Sequence, residues 1–122
     1  MSNTANLRLQ VAVFLSQLLQ HHGSLSSRLP GMLSRVEPRD RALFQEISYG
    51  TLRFYPQLDA LSRQCLRKPF REEDTDVFAL LLSALYQLRH LSTAEHAVIN
   101  ETVEGAKQMG KPWAAKLLNA VL

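Results

Sequence analysis

The sequence predicts an all-α protein, a single domain over residues 1–122 built as a bundle of about seven helices. Apolar residues recur every three or four positions along almost the whole chain, which is the spacing of a buried helix face. Five glycines and five prolines leave little room for the frequent turns of a β-sandwich. A chain of 122 residues has the usual length of one domain and can bury a core without staples.

Two helices are predicted at the start of the chain. The first has an apolar stripe that consists of Leu7, Val11, Phe14, Leu15 and Leu18. Gly23 is its predicted stop, and Ser24 is a typical N-cap for a short second helix. Pro30 and Gly31 are unfavourable inside that second helix.

The third and fourth helices share one long apolar stripe. It begins near Pro38, a residue suited to a first helical turn. Its apolar positions are Leu43, Phe44, Ile47, Thr51, Phe54, Leu58, Leu61 and Cys65. Pro56 has no amide hydrogen and clashes with the preceding turn, so we expect two helices that meet between Phe54 and Pro56.

The fifth predicted helix, residues 77–91, is apolar on almost every face, which is typical of a helix at the centre of a bundle. Four acidic residues lie just before it, within the segment 72–76. Acidic side chains favour the positive end of a helix dipole, and we prefer this interpretation to a metal-binding loop.

The last two helices are predicted from their boundary residues. Ser92-Thr93-Ala94-Glu95 has the pattern of a capping box at the start of the sixth helix. Gly110 and Pro112 mark its end and the beginning of a final helix over residues 113–122. That helix finishes on three apolar residues without a cap, so we expect this domain to have been cut from a longer protein in mid-helix.

Enzyme chemistry is not indicated, and no catalytic residue is assigned. The sequence contains no dinucleotide-binding, phosphate-loop, zinc-protease or serine-hydrolase motif. Its one cysteine, Cys65, excludes an internal disulfide and a cysteine-ligated zinc site, and fits a reducing compartment. The four histidines, His21, His22, His90 and His96, are interpreted as structural. No segment has the pattern of a targeting signal or a membrane span, so we expect a cytoplasmic protein.

The charge balance is mildly basic, with 14 Lys and Arg against 11 Asp and Glu. Most of the cations are arginines, which suit phosphate contact and base stacking. Arg39 and Arg53 are expected along one edge of the same helix. Gly50, inside that helix, indicates close packing by another backbone. The plainer interpretation is an arginine-edged helix with an Asp40 salt bridge.

A pattern of short segments runs in order along the chain and consists of 39–43, Glu46, 49–53, 58–59, 84–88, 96–104, 106–107 and 119–122. This pattern resembles the NusB-like domain at the N-terminus of bacterial 16S rRNA (cytosine-C5) methyltransferases, the RsmB/Sun/Fmu family. The resemblance implies a NusB fold and a parent enzyme that methylates a cytosine of 16S rRNA with S-adenosylmethionine. It implies that the catalytic residues and the cofactor site lie in a further domain, so this chain holds no cofactor or metal.

The resemblance also implies two partners, 16S rRNA and the catalytic domain of the parent. The expected phosphate contacts are Arg8, Arg28, Arg35, Arg39, Arg41 and Arg53. Two alternatives stay open. One is a free-standing NusB-type antitermination factor, although such factors commonly carry an arginine cluster before the first helix, where only Arg8 stands here. The other is a protein-docking module that uses the Gly50 helix and the region of Trp113.

Overall fold

The computed structural model describes residues 7–21 and 23–122, which form seven α-helices and no β-strand. In chain order the helices are α1 (Leu7–His21), α2 (Leu25–Leu33), α3 (Arg41–Arg53), α4 (Tyr55–Cys65), α5 (Thr75–His90), α6 (Glu95–Gln108) and α7 (Pro112–Val121). Short 3-10 turns at Pro38–Asp40 and Glu72–Asp74 lead into α3 and α5. The predicted all-α class and the predicted break between α3 and α4 are confirmed.

Helix α5 lies at the centre of the bundle. It contacts α1, α3, α4 and α6, and every residue from 79 to 87 is buried. Phe14 and Leu15 of α1, Phe44 and Ile47 of α3 and Leu58 of α4 complete one continuous core with it. The prediction of a central helix is therefore confirmed, because an α-helix without a polar face is stable only when neighbours cover all of it.

The turn between α6 and α7 depends on Gly110. Its φ of 79° lies in the left-handed region, which favours glycine. The Gly110 amide donates to the Lys107 carbonyl at 2.9 Å and the Lys111 amide donates to the Ala106 carbonyl at 3.1 Å. These two bonds are the Schellman pattern, so the predicted stop at Gly110 is confirmed.

The predicted capping box at the start of α6 is wrong. Glu95 is the first helical residue, and Ala94 is the N-cap with no side-chain hydrogen bond. The Ala94 carbonyl accepts from the amides of Ala97 and Val98. A capping box requires its glutamate at the third helical position, two residues further in than Glu95 stands.

The acidic entrance of α5 binds a lysine from the α6–α7 turn. The ammonium group of Lys111 lies 3.0 Å from a carboxylate oxygen of Asp74 and 2.7 Å from one of Asp76. Burial alone would lower the pKa of Lys111, but its hydrogen bonds with Asp76 and Asp74 outweigh burial and raise it. The acids therefore connect the start of α5 to the C-terminal helix pair.

Gly50 is in close contact with an aromatic ring and not, as the sequence suggested, with a backbone. A Cβ at this position would overlap the ring and hydroxyl of Tyr86. That hydroxyl donates to a carboxylate oxygen of Glu46 at 2.6 Å. Burial and the Glu46 hydrogen bond raise the pKa of Tyr86 to about 12. The glycine thus allows α3 and α5 to approach closely enough for this bond.

We expect Gly50→Ala to destabilise the protein in urea unfolding, by up to about 2 kcal/mol after the gain in helix propensity is subtracted. The new methyl group would overpack against Tyr86, at a cost of roughly 1–3 kcal/mol, while helix propensity returns at most about 1 kcal/mol. Gly31→Ala is the control, because a Cβ there meets nothing within 4 Å. It should leave stability unchanged or raise it by up to about 1 kcal/mol. Equal stability of the two variants would contradict the Tyr86 contact.

The Tyr86 phenol should make the fold sensitive to alkali. A raised pKa means that the folded state holds the proton more tightly than the unfolded state. The resulting stabilisation is complete below pH 10 and is lost as the pH rises from about 10 to about 12. The wild type should therefore lose about 2 kcal/mol more folding free energy between pH 9 and 12 than Tyr86→Phe does. Parallel pH profiles for the two proteins would refute this assignment.

Candidate nucleic-acid interface

Two exposed arginines flank an open cleft between α1 and α2. Arg28 lies in α2 and Arg35 lies in the turn that follows it. The cleft has a volume of about 310 Å³ and is lined by Phe14, Gln17, Ser27, Arg28, Gly31, Met32 and Arg35. The two guanidinium groups are the charged groups of this lining, so the cleft is positively charged.

Local structure holds Arg28 and Arg35 in place. The Ser24 hydroxyl accepts from the Ser27 amide at 3.2 Å and caps α2 as predicted. A Cβ on Gly23 would lie 2.5 Å from Cδ of Arg28, so the glycine lets the arginine stem lie against the backbone. After α2, the Arg35 amide donates to the Met32 carbonyl at 2.9 Å. Both arginines therefore stand on short, well-defined backbone segments.

The next two candidate arginines differ in how accessible they are. Arg39, in the 3-10 turn before α3, is exposed. Arg41, the first residue of α3, is half-buried, and its Nε donates to the Val36 carbonyl at 3.0 Å. Part of the Arg41 guanidinium is thus used to fix the connection between α2 and α3.

Arg53 is exposed and lies at the opposite end of α3 from Arg41. It is the last residue of α3, a 13-residue helix with a length of about 20 Å. Its guanidinium carbon is 5.6 Å from the centre of the Phe54 ring. The expectation that Arg39 and Arg53 share one helix edge is wrong, because Arg39 lies outside α3.

Arg8, expected at the surface, lies inside the protein. Its Nε donates to Oε1 of Gln87 at 2.8 Å, and its terminal nitrogen pairs with Glu101, also at 2.8 Å. Only 8% of the side chain is exposed. Arg8 precedes Val11, Ala12 and Leu15 by three, four and seven residues. That spacing puts it on the buried face of α1, which is the signal that the charge-based assignment overlooked.

The remaining sequence candidates are Cys65 and the four histidines. Cys65 is half-buried at the end of α4. His90 is stacked on Phe54, with ring centres 4.3 Å apart, and His96 is exposed at the start of α6. His22 and the side chain of His21 lie outside the described residues. Among the residues that the structure covers, no cluster of three or more His, Cys, Asp or Glu suits a metal ion.

None of the described helices is long and apolar enough to cross a bilayer.

Fold and surface together define a class, a small all-helical bundle that presents basic side chains beside an open cleft. The chain belongs to the NusB family, whose family model matches residues 5–122.

Relatives with this region are considerably longer proteins. Ribosomal RNA small subunit methyltransferase B of Pseudomonas putida is 50% identical over 117 residues, which is 96% of this chain and 27% of that protein. The protein of the same name from Serratia proteamaculans is 40% identical over 122 residues, which is 28% of its length. The chain thus spans about a quarter of the length of the curated relatives that it matches.

We expect Arg8→Met to destabilise the fold by about 1–3 kcal/mol in urea unfolding. Methionine keeps the apolar stem, but it leaves the fully buried Oε1 of Gln87 without its Arg8 donor, and that is the usual cost of an unpaired buried polar atom. Arg35→Met removes the same charge from an exposed side chain and should change stability by less than about 0.5 kcal/mol. Similar losses in both variants would show that the Arg8 contacts contribute nothing specific.

Proposed function

We propose that this chain is the non-catalytic, RNA-contacting domain of an S-adenosylmethionine-dependent 16S rRNA (cytosine-C5) methyltransferase. The observation that carries the proposal is the 50% identity, across 96% of the chain, to a protein named ribosomal RNA small subunit methyltransferase B. Such a protein works in the cytoplasm, and its catalytic residues and cofactor site lie in the part that this chain does not include.

The RNA contacts in this proposal are made to phosphates. Arg28 and Arg35 beside the α1–α2 cleft are the primary contacts, because both are exposed and held by ordered backbone. Arg39 extends the same basic region, and Arg41 contributes the part of its guanidinium that Val36 does not use. Arg53 is a separate contact at the other end of α3.

Contacts of this kind give affinity without sequence readout. A guanidinium binds phosphate oxygens in a bidentate manner and displaces condensed counterions from the RNA. Binding should therefore be weak and depend strongly on salt. The domain would orient the methyltransferase on its substrate, while the choice of cytosine would be made by the part that carries out the chemistry.

Binding of a 16S rRNA transcript from Pseudomonas putida tests the proposal. We expect the wild-type chain to bind in a filter assay at 50 mM salt and to lose affinity steeply at 200 mM. The double variant Arg28→Glu/Arg35→Glu should lower the slope of log affinity against log salt by about two, one for each lost phosphate contact.

The matched control is Lys107→Glu/Lys116→Glu, two exposed cations on α6 and α7. This control changes the net charge by the same amount as Arg28→Glu/Arg35→Glu does. It should bind the RNA as tightly as the wild type if the RNA contact is made at the α1–α2 cleft. A loss of affinity in both double variants would indicate a net-charge effect alone, and no binding at 50 mM salt would rule out the RNA role.

A further inference from the structure

A second surface, on the α7 side of the molecule, has a chemistry unlike that of the arginine cleft. Two adjacent open cavities of about 400 and 470 Å³ share Lys68 and Leu117. Together they form one groove between α7 and the α4–α5 connection, which we call the α7 groove. Its lining consists of Cys65, Leu66, Arg67, Lys68, Pro69, Phe70, Arg71, Asp74, Trp113, Leu117 and Val121.

The floor of the α7 groove is apolar because α7 has two apolar faces. One face, with Ala114, Ala115 and Leu118, is buried in the bundle. The other places Trp113, Leu117 and Val121 four residues apart along the groove. Trp113 is 47% exposed, a large aromatic surface in contact with water. Three positions spaced in this way extend over about 12 Å, two turns of a helix.

The rim of the groove is positively charged. Arg67 and Lys68 are both exposed and supply this charge. Arg71 also lines the groove, but its guanidinium is paired with Glu73 at 3.3 Å and with Asp74 at 3.7 Å. Asp74, the one acidic residue of the lining, has a side chain that is only 9% exposed and is also paired with Lys111 at 3.0 Å. An apolar floor of this length with a cationic rim is complementary to a helix that has apolar anchors and acidic flanks.

We propose that the α7 groove binds an acidic amphipathic helix of a partner protein. The anchors of that helix, at positions i, i+4 and i+7, would lie between Trp113, Leu117 and Phe70, and its flanking carboxylates would face Arg67 and Lys68. A second copy of this chain fits less well, because a symmetric contact would bring two cationic rims together. RNA fits less well because, beside the rings of Trp113 and Phe70, the floor consists of aliphatic side chains, which offer phosphates and sugars no polar partner.

Trp113 is the single tryptophan of the sequence and lies in the groove, so its fluorescence reports directly on occupancy. The probe is a synthetic 16-residue helical peptide with leucine at i, i+4 and i+7 and glutamate on both flanks. We expect this peptide to shift the Trp113 emission to shorter wavelength in a saturable titration. A peptide with lysine in place of every glutamate should bind at least tenfold more weakly.

Two charge reversals locate the site. Arg67→Glu/Lys68→Glu should weaken binding of the acidic peptide at least tenfold, whereas Arg28→Glu/Arg35→Glu should leave it unchanged. The two double variants thus distinguish this proposal from the RNA proposal. The Arg67/Lys68 variant should weaken only peptide binding, and the Arg28/Arg35 variant should weaken only RNA binding. Arg35, Arg67 and Lys68 lie outside the helices, and Arg28 lies in α2. All four side chains are exposed, so the fold should tolerate their replacement by glutamate.

Several outcomes would overturn the proposal. One is the absence of a saturable shift, and another is an equal response to the acidic and basic peptides. A third is a Trp113 shift caused by a 20-nucleotide single-stranded RNA and abolished by Arg67→Glu/Lys68→Glu, which would make the groove an RNA site. A fourth is a shift that follows protein concentration together with dimerisation in sedimentation, which would identify a second copy as the occupant.

Discussion

Along residues 79–87, α5 has no face in contact with water, and the polar side chains in this stretch must therefore find partners inside the protein. Gln87, which is fully buried, accepts from Arg8 of α1 at 2.8 Å and donates to the Ser83 carbonyl at 3.1 Å. Tyr86 donates to Glu46 of α3. The packing of the other helices depends on these bonds, because they hold α1 and α3 against α5 in one register.

Because α5 is buried, some charged residues pair with groups inside the bundle, and others remain at the surface. Arg8 bridges α1 to both α5 and α6, since its second partner is Glu101. Lys111 similarly connects the α6–α7 turn to the entrance of α5. The arginines of α2 and of the turn before α3 are outside this internal network and remain exposed. Two groups of exposed cations lie beside open cavities, one at the α1–α2 cleft and one at the rim of the α7 groove.

Much of the fold could be predicted because its signals are local. Pro56 divides α3 from α4, Ser24 caps α2, and Gly110 ends α6, each through the geometry of one or two residues. The predicted capping box at the start of α6 is wrong although its signal is local as well. Ala94 has a ψ of 132°, outside the helical range, so α6 begins two residues later than the pattern requires and Glu95 is its first residue.

The sequence by itself determined the helices, the central position of α5 and the resemblance to the NusB family, since periodicity and short motifs are properties of neighbouring residues. Only the tertiary structure decided which groups bind the buried Arg8 and what packs on Gly50. The Arg8–Gln87 and Arg8–Glu101 contacts join residues 79 and 93 positions apart, and the Tyr86–Glu46 bond joins residues 40 apart. Spacing along one helix shows which face is buried, but the identity of the group that meets it depends on how distant helices pack together.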